Sequence, residues 1–146
     1  MPFFLSPLDR VERWLKNLGL KGIAKDKTRA LLSVPFEISG KIFLVQIYVG
    51  EKWINIVALV TRIKDVPSEM RKDLYRACLI ANFRLPEVTF SADPVHGDIW
   101  VEADMPKDTT EENFKIEFKS VVFGIKYFMD EIAPKINLKV RSTMYL

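Results

Sequence analysis

Few residues of this chain have side chains whose type and spacing suit chemistry. The only histidine, His96, lies between Asp93 and Asp98 in a short segment rich in turn-forming residues. A nucleophile–histidine–acid triad would need His96 as its base, and a carboxylate-rich loop with an imidazole could bind a metal weakly. Polar residues are common at loop tips for turn reasons alone, so we expect His96 to be an exposed turn residue.

The single cysteine, Cys78, falls on the apolar stripe of a predicted helix. Its neighbours Ala77, Leu79 and Ile80 supply no charge that would lower its pKa, so we expect a buried, unreactive side chain. One cysteine excludes an internal disulfide and a cysteine-rich zinc site. No phosphate-binding glycine loop and no HExxH, CxxC or GxSxG motif occurs, so we expect no metal, no cofactor and no enzymatic activity.

Paired carboxylates are the remaining candidates for acid–base chemistry. The neighbours Glu111-Glu112 and Asp130-Glu131 lie on a predicted helix, where adjacent side chains point in different directions. Glu102 and Asp104 share one face of a predicted strand, which we expect to be the solvent face. With Trp53 and Trp100 as walls, those two carboxylates are the best sequence support for a pocket between sheet and helices.

Composition indicates one soluble domain covering residues 1–146. The chain is 49% hydrophobic and 28% charged, with a formal net charge of +3. Basic residues alternate with acidic ones, so we expect no nucleic-acid partner. No apolar run approaches the ~20 residues that cross a bilayer, so no membrane association is expected. The single cysteine favours a reducing compartment, and we expect a cytoplasmic protein.

The elements that must position these residues follow from periodicity. Ser6 and Pro7 begin a helix that ends near Gly19. Phe3, Phe4 and Leu5 either staple it to the core, which we favour, or dock on a partner. Three alternating segments follow, at about 29–38, 41–49 and 53–63, and short turns between them predict an antiparallel meander. Pro35 in the first segment favours an edge strand or a bulge.

The second half of the chain also begins with a helix that is followed by strands. A helix opens at Pro67 and ends by Pro86, and two strands at 87–92 and 98–103 follow. Thr109 and Glu112 form a capping box for the last helix, which runs to Ile132. The tail, residues 135–146, is either an extra strand or a loose arm. The predicted fold is α+β with the order α-β-β-β-α-β-β-α, an antiparallel sheet with helices packed on it.

The last helix carries a second apolar stripe, formed by Ile116, Phe123 and Tyr127, opposite its main apolar face. A helix that is apolar on two sides usually buries both. Either strands or the tail cover this stripe, or it is an interface in a homodimer or for another chain. The edge marked by Pro35 could also accept an extended peptide.

The segment LYRACLIANFRLPEVTFSADPVHGDIWVEADMP resembles the YbjN family, within the type III secretion chaperone-like fold. The residues that carry the resemblance come before the long helix that begins near Glu111, and they are Leu74, Tyr75, Leu79, Asn82, Phe90, Asp93, Ile99 and Pro106. The resemblance implies this fold and a dimer, and it offers no catalytic residue.

Two classes of function remain open from the sequence. The first is a non-enzymatic protein-interaction module, chaperone- or regulator-like, that forms a homodimer or binds a protein or peptide. The alternative is a small-ligand-binding protein or enzyme with its pocket between sheet and helices.

Overall fold

The computed structural model describes residues 4–144. The helices and strands alternate in groups along the chain, in the order α-β-β-β-β-α-β-β-α. They are α1 (Pro7–Asn17), β1 (Ala24–Asp26), β2 (Leu31–Ile38), β3 (Lys41–Val49), β4 (Trp53–Thr61), α2 (Arg71–Arg84), β5 (Thr89–Ala92), β6 (Ile99–Pro106) and α3 (Glu111–Tyr127). A π-helical turn, Phe128–Ile132, extends α3.

The six strands form one antiparallel sheet in the order β1-β2-β3-β4-β6-β5. The β2–β3 turn is made by Ser39 and Gly40, both at positive φ, as a two-residue hairpin connection requires. β1 pairs with β2 only as far as Ser33, so the part of β2 that contains Pro35 lies on a free edge. The missing N–H of Pro35 is therefore tolerated, as the sequence predicted.

The three helices cover one face of the sheet, and the core lies between the two layers. Alternate residues of each strand point into this core; on β6 they are Ile99, Val101, Ala103 and Met105. Rings from separate elements meet there, with Trp14 of α1 5.4 Å from Phe114 of α3 between centroids. The fold class predicted from the sequence, an antiparallel sheet with helices packed on it, is confirmed.

The structure differs from the sequence prediction in one additional strand, β1, and in the residue that caps the N-terminus of α3. β1 was not predicted, because three residues with a Lys and an Asp show no alternating apolar pattern; Lys25 of β1 is held instead by hydrogen bonds to Asp9 and Glu12 of α1. The N-cap of α3 is Thr110, whose Oγ1 accepts from the Asn113 N–H at 3.1 Å, and not Thr109. The Thr109 hydroxyl accepts from the Asn113 side chain.

For the tail, residues 135–146, the sequence left an extra strand or a loose arm open, and the structure describes it as far as residue 144. Residues 137–144 contain no strand, yet Leu138 and Val140 are buried. The Ile42 N–H donates to the Ser142 hydroxyl at 3.1 Å, and the Ile42 carbonyl accepts from the Thr143 N–H at 3.1 Å. The tail therefore binds along the start of β3, as far as the described residues extend.

Candidate functional site

The loop that carries His96 is organised around Asp93. One carboxylate oxygen of Asp93 accepts from the Val95 and His96 N–H groups at 3.0 and 2.7 Å. The other accepts from the Asp98 N–H and from the Trp100 indole. These hydrogen bonds, led by that from His96, lower the pKa of Asp93 to about 2. Asp93 is thus a turn-forming residue, and the His96 side chain is exposed.

The same loop is fixed to its neighbours on two sides. The Tyr75 hydroxyl donates to the Gly97 carbonyl at 2.7 Å, which ties the loop to α2. The Asp98 carboxylate accepts from the Ile63 N–H at 2.8 Å, just after β4. The two carboxylates near His96, those of Asp93 and Asp98, therefore both accept hydrogen bonds from backbone N–H groups. Within residues 4–144, no group of three or more His, Cys, Asp and Glu side chains is placed to bind a metal.

Cys78 is a residue of α2 and is buried, with Leu74 and Ala81, on the face of that helix that meets the core. Burial raises the pKa of its thiol to about 12, so the reactive thiolate is not formed near neutral pH.

Glu102 and Asp104 lie on the face of β6 that points away from the helices. Asp104 accepts a hydrogen bond from the side chain of Asn55 on β4, and Glu102 lies opposite Val57. Trp100 shares this face, while Trp53, opposite Pro106, is 53% exposed. The expected pocket between sheet and helices is thus not formed by these residues, because strand alternation turns their side chains to the outer face.

A second carboxyl pair was not predicted. Glu117 of α3 and Glu87, in the α2–β5 connection, lie close enough for a proton on one carboxyl to form a hydrogen bond to the other. Burial, this hydrogen bond, and the charges of Glu87 and Asp104 raise the pKa of Glu117 to about 7. Glu87 also has a positive φ of 65°. The pair joins residues far apart in sequence, so no local pattern indicates it.

The most prominent surface feature is a band of exposed apolar side chains on the helical layer. On α2, Phe83 is 93% exposed and Leu79 is 68% exposed. On α3, Phe123 is 51% exposed and Ile116 is 49% exposed. We call this surface the helical-layer band, and its members are the exposed Leu79, Ile80, Phe83, Ile116 and Phe123 and the partly buried Tyr127.

A cleft joins the two halves of the band. It has a volume of about 180 Å³ and is lined by apolar side chains, among them Ile80 and Tyr127, and by the charged residues Arg84, Glu131 and Lys135. The rings of Phe123 and Tyr127 are in contact, with centroids 6.3 Å apart. Ile80 of α2 and Tyr127 of α3 thus meet at this cleft, and Phe123 continues the apolar surface along α3.

The stripe of Ile116, Phe123 and Tyr127 that the sequence indicated lies within this band. Neither the strands nor the described tail covers it, since Ile116 and Phe123 are about half exposed. The staple expected at the N-terminus is wrong for Phe4, which is 91% exposed. Phe3 lies outside the described residues.

Sequence reasoning missed the α2 half of the band. Leu79 and Phe83 are four residues apart and lie off the buried stripe of Leu74, Cys78 and Ala81. That spacing was the available signal for a second apolar face on α2.

Searches for a matching family model and for matching curated proteins both gave no match. Solved structures do match over most of the chain. The ExsC–ExsE complex matches with a TM-score of 0.61 at 14% identity, covering 88% of this chain and 97% of that chain. YbjN from E. coli matches with a TM-score of 0.63 at 16% identity, covering 86% of this chain and 95% of that chain.

A third match is the HopA1–SchA chaperone–effector complex, with a TM-score of 0.54 at 14% identity over 86% of this chain and 96% of that chain. The chain has the type III secretion chaperone-like fold. The resemblance seen in the segment from Leu74 to Pro106 is thereby confirmed at the level of the fold. Within residues 4–144, no helix has the length and apolar character needed to cross a membrane.

Proposed function

We propose that the chain is a non-enzymatic protein-interaction module that forms a homodimer through the helical-layer band. The observation that carries the proposal is the exposure of Phe83, at 93%, beside Leu79, at 68%, on a helix whose opposite face is fully packed. Large exposed apolar patches on a folded domain mark protein-interaction sites.

The make-up of the band suits an interface. Interfaces gain most of their free energy from a few aromatic or arginine side chains placed centrally among apolar neighbours. Phe83, Phe123 and Tyr127 supply such anchors, and the cleft between the helices supplies a recess for a partner's side chain. Covering this apolar area yields roughly 25 cal/mol for each Å² removed from water.

A second copy of the chain is a suitable occupant on geometric grounds. If two α2 helices cross antiparallel about a two-fold axis between Leu79 and Ile80, residue 76 of one helix faces residue 83 of the other. Arg76 would then lie beside Phe83 twice in each dimer, as symmetric interfaces require. An arginine over an aromatic ring is attractive by about 0.5–2 kcal/mol.

The structural neighbours support a binding role. Two of them are complexes of two different proteins, and one of those is described as a chaperone with its effector. A chaperone- or regulator-like role, in which the dimer holds a protein or peptide, is therefore part of the proposal. We place this role in the cytoplasm, on the basis of the single, buried cysteine.

The test is the molar mass in solution, measured by light scattering over a concentration series. We expect the wild type to have twice the mass of one chain. The Phe83→Ser variant should dissociate at concentrations at which the wild type remains dimeric, because the anchor ring is lost.

The matched control is Val95→Ser, which removes an 80% exposed apolar side chain from the β5–β6 loop, away from the band. This variant should keep the wild-type mass. A wild type that is monomeric at every concentration, or a Val95→Ser variant that dissociates equally, would count against the homodimer.

A further inference from the structure

A cleft of about 970 Å³ opens at the N-terminal end of α1. Three lysines border it, and each comes from a different connection. Lys27 lies between β1 and β2, Lys52 between β3 and β4, and Lys107 directly after β6. Chain topology, and not sequence proximity, brings these ammonium groups to one cleft.

Backbone hydrogen bonds fix the segments that carry the lysines. The Lys107 N–H donates to the Lys52 carbonyl at 2.9 Å, and the Arg10 guanidinium donates to the Lys107 carbonyl at 2.6 Å. The third segment is held by the Val49 N–H, which donates to the Ala30 carbonyl at 2.9 Å. The backbone segments from which the three lysine side chains extend are therefore fixed around the cleft.

The lysines that border the cleft outnumber its two carboxylates, Asp9 and Glu51. None of Lys27, Lys52 and Lys107 forms an ion pair within residues 4–144, whereas Asp9, in the lining, is already bound by Lys25. Glu51 is the other carboxylate that borders the cleft. Three like charges around one recess repel one another, and a bound anion removes that repulsion.

Part of the lining is apolar and forms one wall of the cleft: Pro7 and Ala30 are accessible, and Leu8 and Val49 are mostly buried. We infer that the cleft binds an organic phosphate, with its phosphates against the three lysines and its uncharged part against this wall. Lysine ammonium groups bind phosphate as point charges. The volume is in the range of small-molecule sites, which is roughly 300–1,000 Å³.

The experiment is isothermal titration calorimetry at low salt, in which the protein is titrated with ATP and, separately, with inorganic triphosphate. ATP should bind the wild type, and Lys52→Glu and Lys107→Glu should each weaken binding by about 10-fold or more. Lys72→Glu, on exposed α2, makes the same charge change away from the cleft and should change affinity by less than about 2-fold. Lys52→Gln serves as a second variant if Lys52→Glu does not fold.

The two ligands distinguish the sources of the phosphate. Tighter binding of ATP supports contact with the apolar wall and a nucleotide-like ligand, and equal binding supports the lysine site with free polyphosphate as its ligand. No binding at about 2 mM of either ligand, or equal weakening by Lys72→Glu, would overturn the site, because the attraction would then be absent or diffuse. The site does not depend on the homodimer, because Lys52 and Lys107 lie outside the helical-layer band.

Discussion

Two carboxyl groups show how local surroundings set opposite protonation behaviour in one small domain. Asp93 is surrounded by N–H donors, which stabilise its charged form and lower its pKa to about 2. Glu117 is partly withdrawn from water and faces Glu87, so its pKa is raised to about 7. The contribution of Asp93 to stability is therefore complete above its ordinary pKa of 3.8 and is lost as the pH falls through about 2, whereas the ionised form of Glu117 destabilises the fold near neutral pH.

At the residue scale we expect Glu117→Gln to flatten the pH dependence of stability. The folded pKa of Glu117, about 7, lies above its ordinary value of 4.5, so its stabilising contribution is complete below pH 4.5 and is lost as the pH rises through 7. The variant should be more stable than the wild type at pH 8, with a smaller difference between pH 5 and pH 8. Urea unfolding at both pH values measures this change.

The control is Glu112→Gln, an exposed residue on the same helix. It should change the free energy of unfolding by a similar amount at both pH values. A Glu117→Gln variant with the wild-type pH dependence would show that the Glu87–Glu117 contact does not retain a proton.

Residue-level predictions succeeded where the local sequence determines the environment. Cys78 is buried as its helical position indicated, and His96 is exposed as its turn composition indicated. Glu117 could not be predicted, because its pKa depends on Glu87 and Asp104, which the fold brings near from other elements.

At the element scale, α3 lies unusually close to the sheet at Gly124. A methyl group on Gly124 would approach a Val101 methyl to 2.6 Å and a Val88 methyl to 3.1 Å. Val101 is completely buried and β-branched, so it has no free rotamer into which it can move. The missing side chain lets α3 pack directly against β6.

We expect Gly124→Ala to destabilise the protein by up to about 2 kcal/mol, because overpacking costs about 1–3 kcal/mol and alanine favours a helix by about 1 kcal/mol. Ser120→Ala, one turn earlier on the same helix, is the control and should be close to neutral. Chemical denaturation gives both values. A Gly124→Ala variant more stable than the wild type would show that Val101 adapts without cost.

Element predictions held where apolar periodicity was strong and failed where pairing depended on distant partners. All three helices and five of the six strands were identified from their own patterns. β1 is defined by its pairing with β2 and by Lys25 reaching α1, and neither is visible in three residues of sequence. The exposed face of α2 was missed because its buried stripe was taken to account for its apolar residues.

At the scale of the whole molecule, the tail occupies a stretch at the start of β3 that has no strand partner on one side, which we call the seam. β3 pairs with β4 only from Val45 onward, and β4 shifts register between Leu59 and Thr61 as it turns toward β6. The start of β3 is thus without a strand partner on that side. Ser142, Thr143 and Met144 bind Ile42 there, and Leu138 and Val140 complete the core beneath.

Removing residues 138–146 should therefore lower the free energy of unfolding by about 3 kcal/mol or more. Two buried aliphatic side chains contribute about 1.5–3 kcal/mol each, and the backbone groups of Ile42 lose their partners. Thermal unfolding followed by circular dichroism measures the loss. Removal of residues 145–146 alone is the control, and an equally stable longer truncation would contradict the role assigned to the tail.

The filling of this seam has a consequence for the order of events during protein synthesis. Residues 138–144 follow all six strands and all three helices in the chain. A nascent polypeptide can pair its strands as they leave the ribosome, but the start of β3 stays open until these residues emerge. Meanwhile that edge can bind other extended segments, so a translational pause just before residue 138 would prolong the interval in which the chain is prone to mispairing.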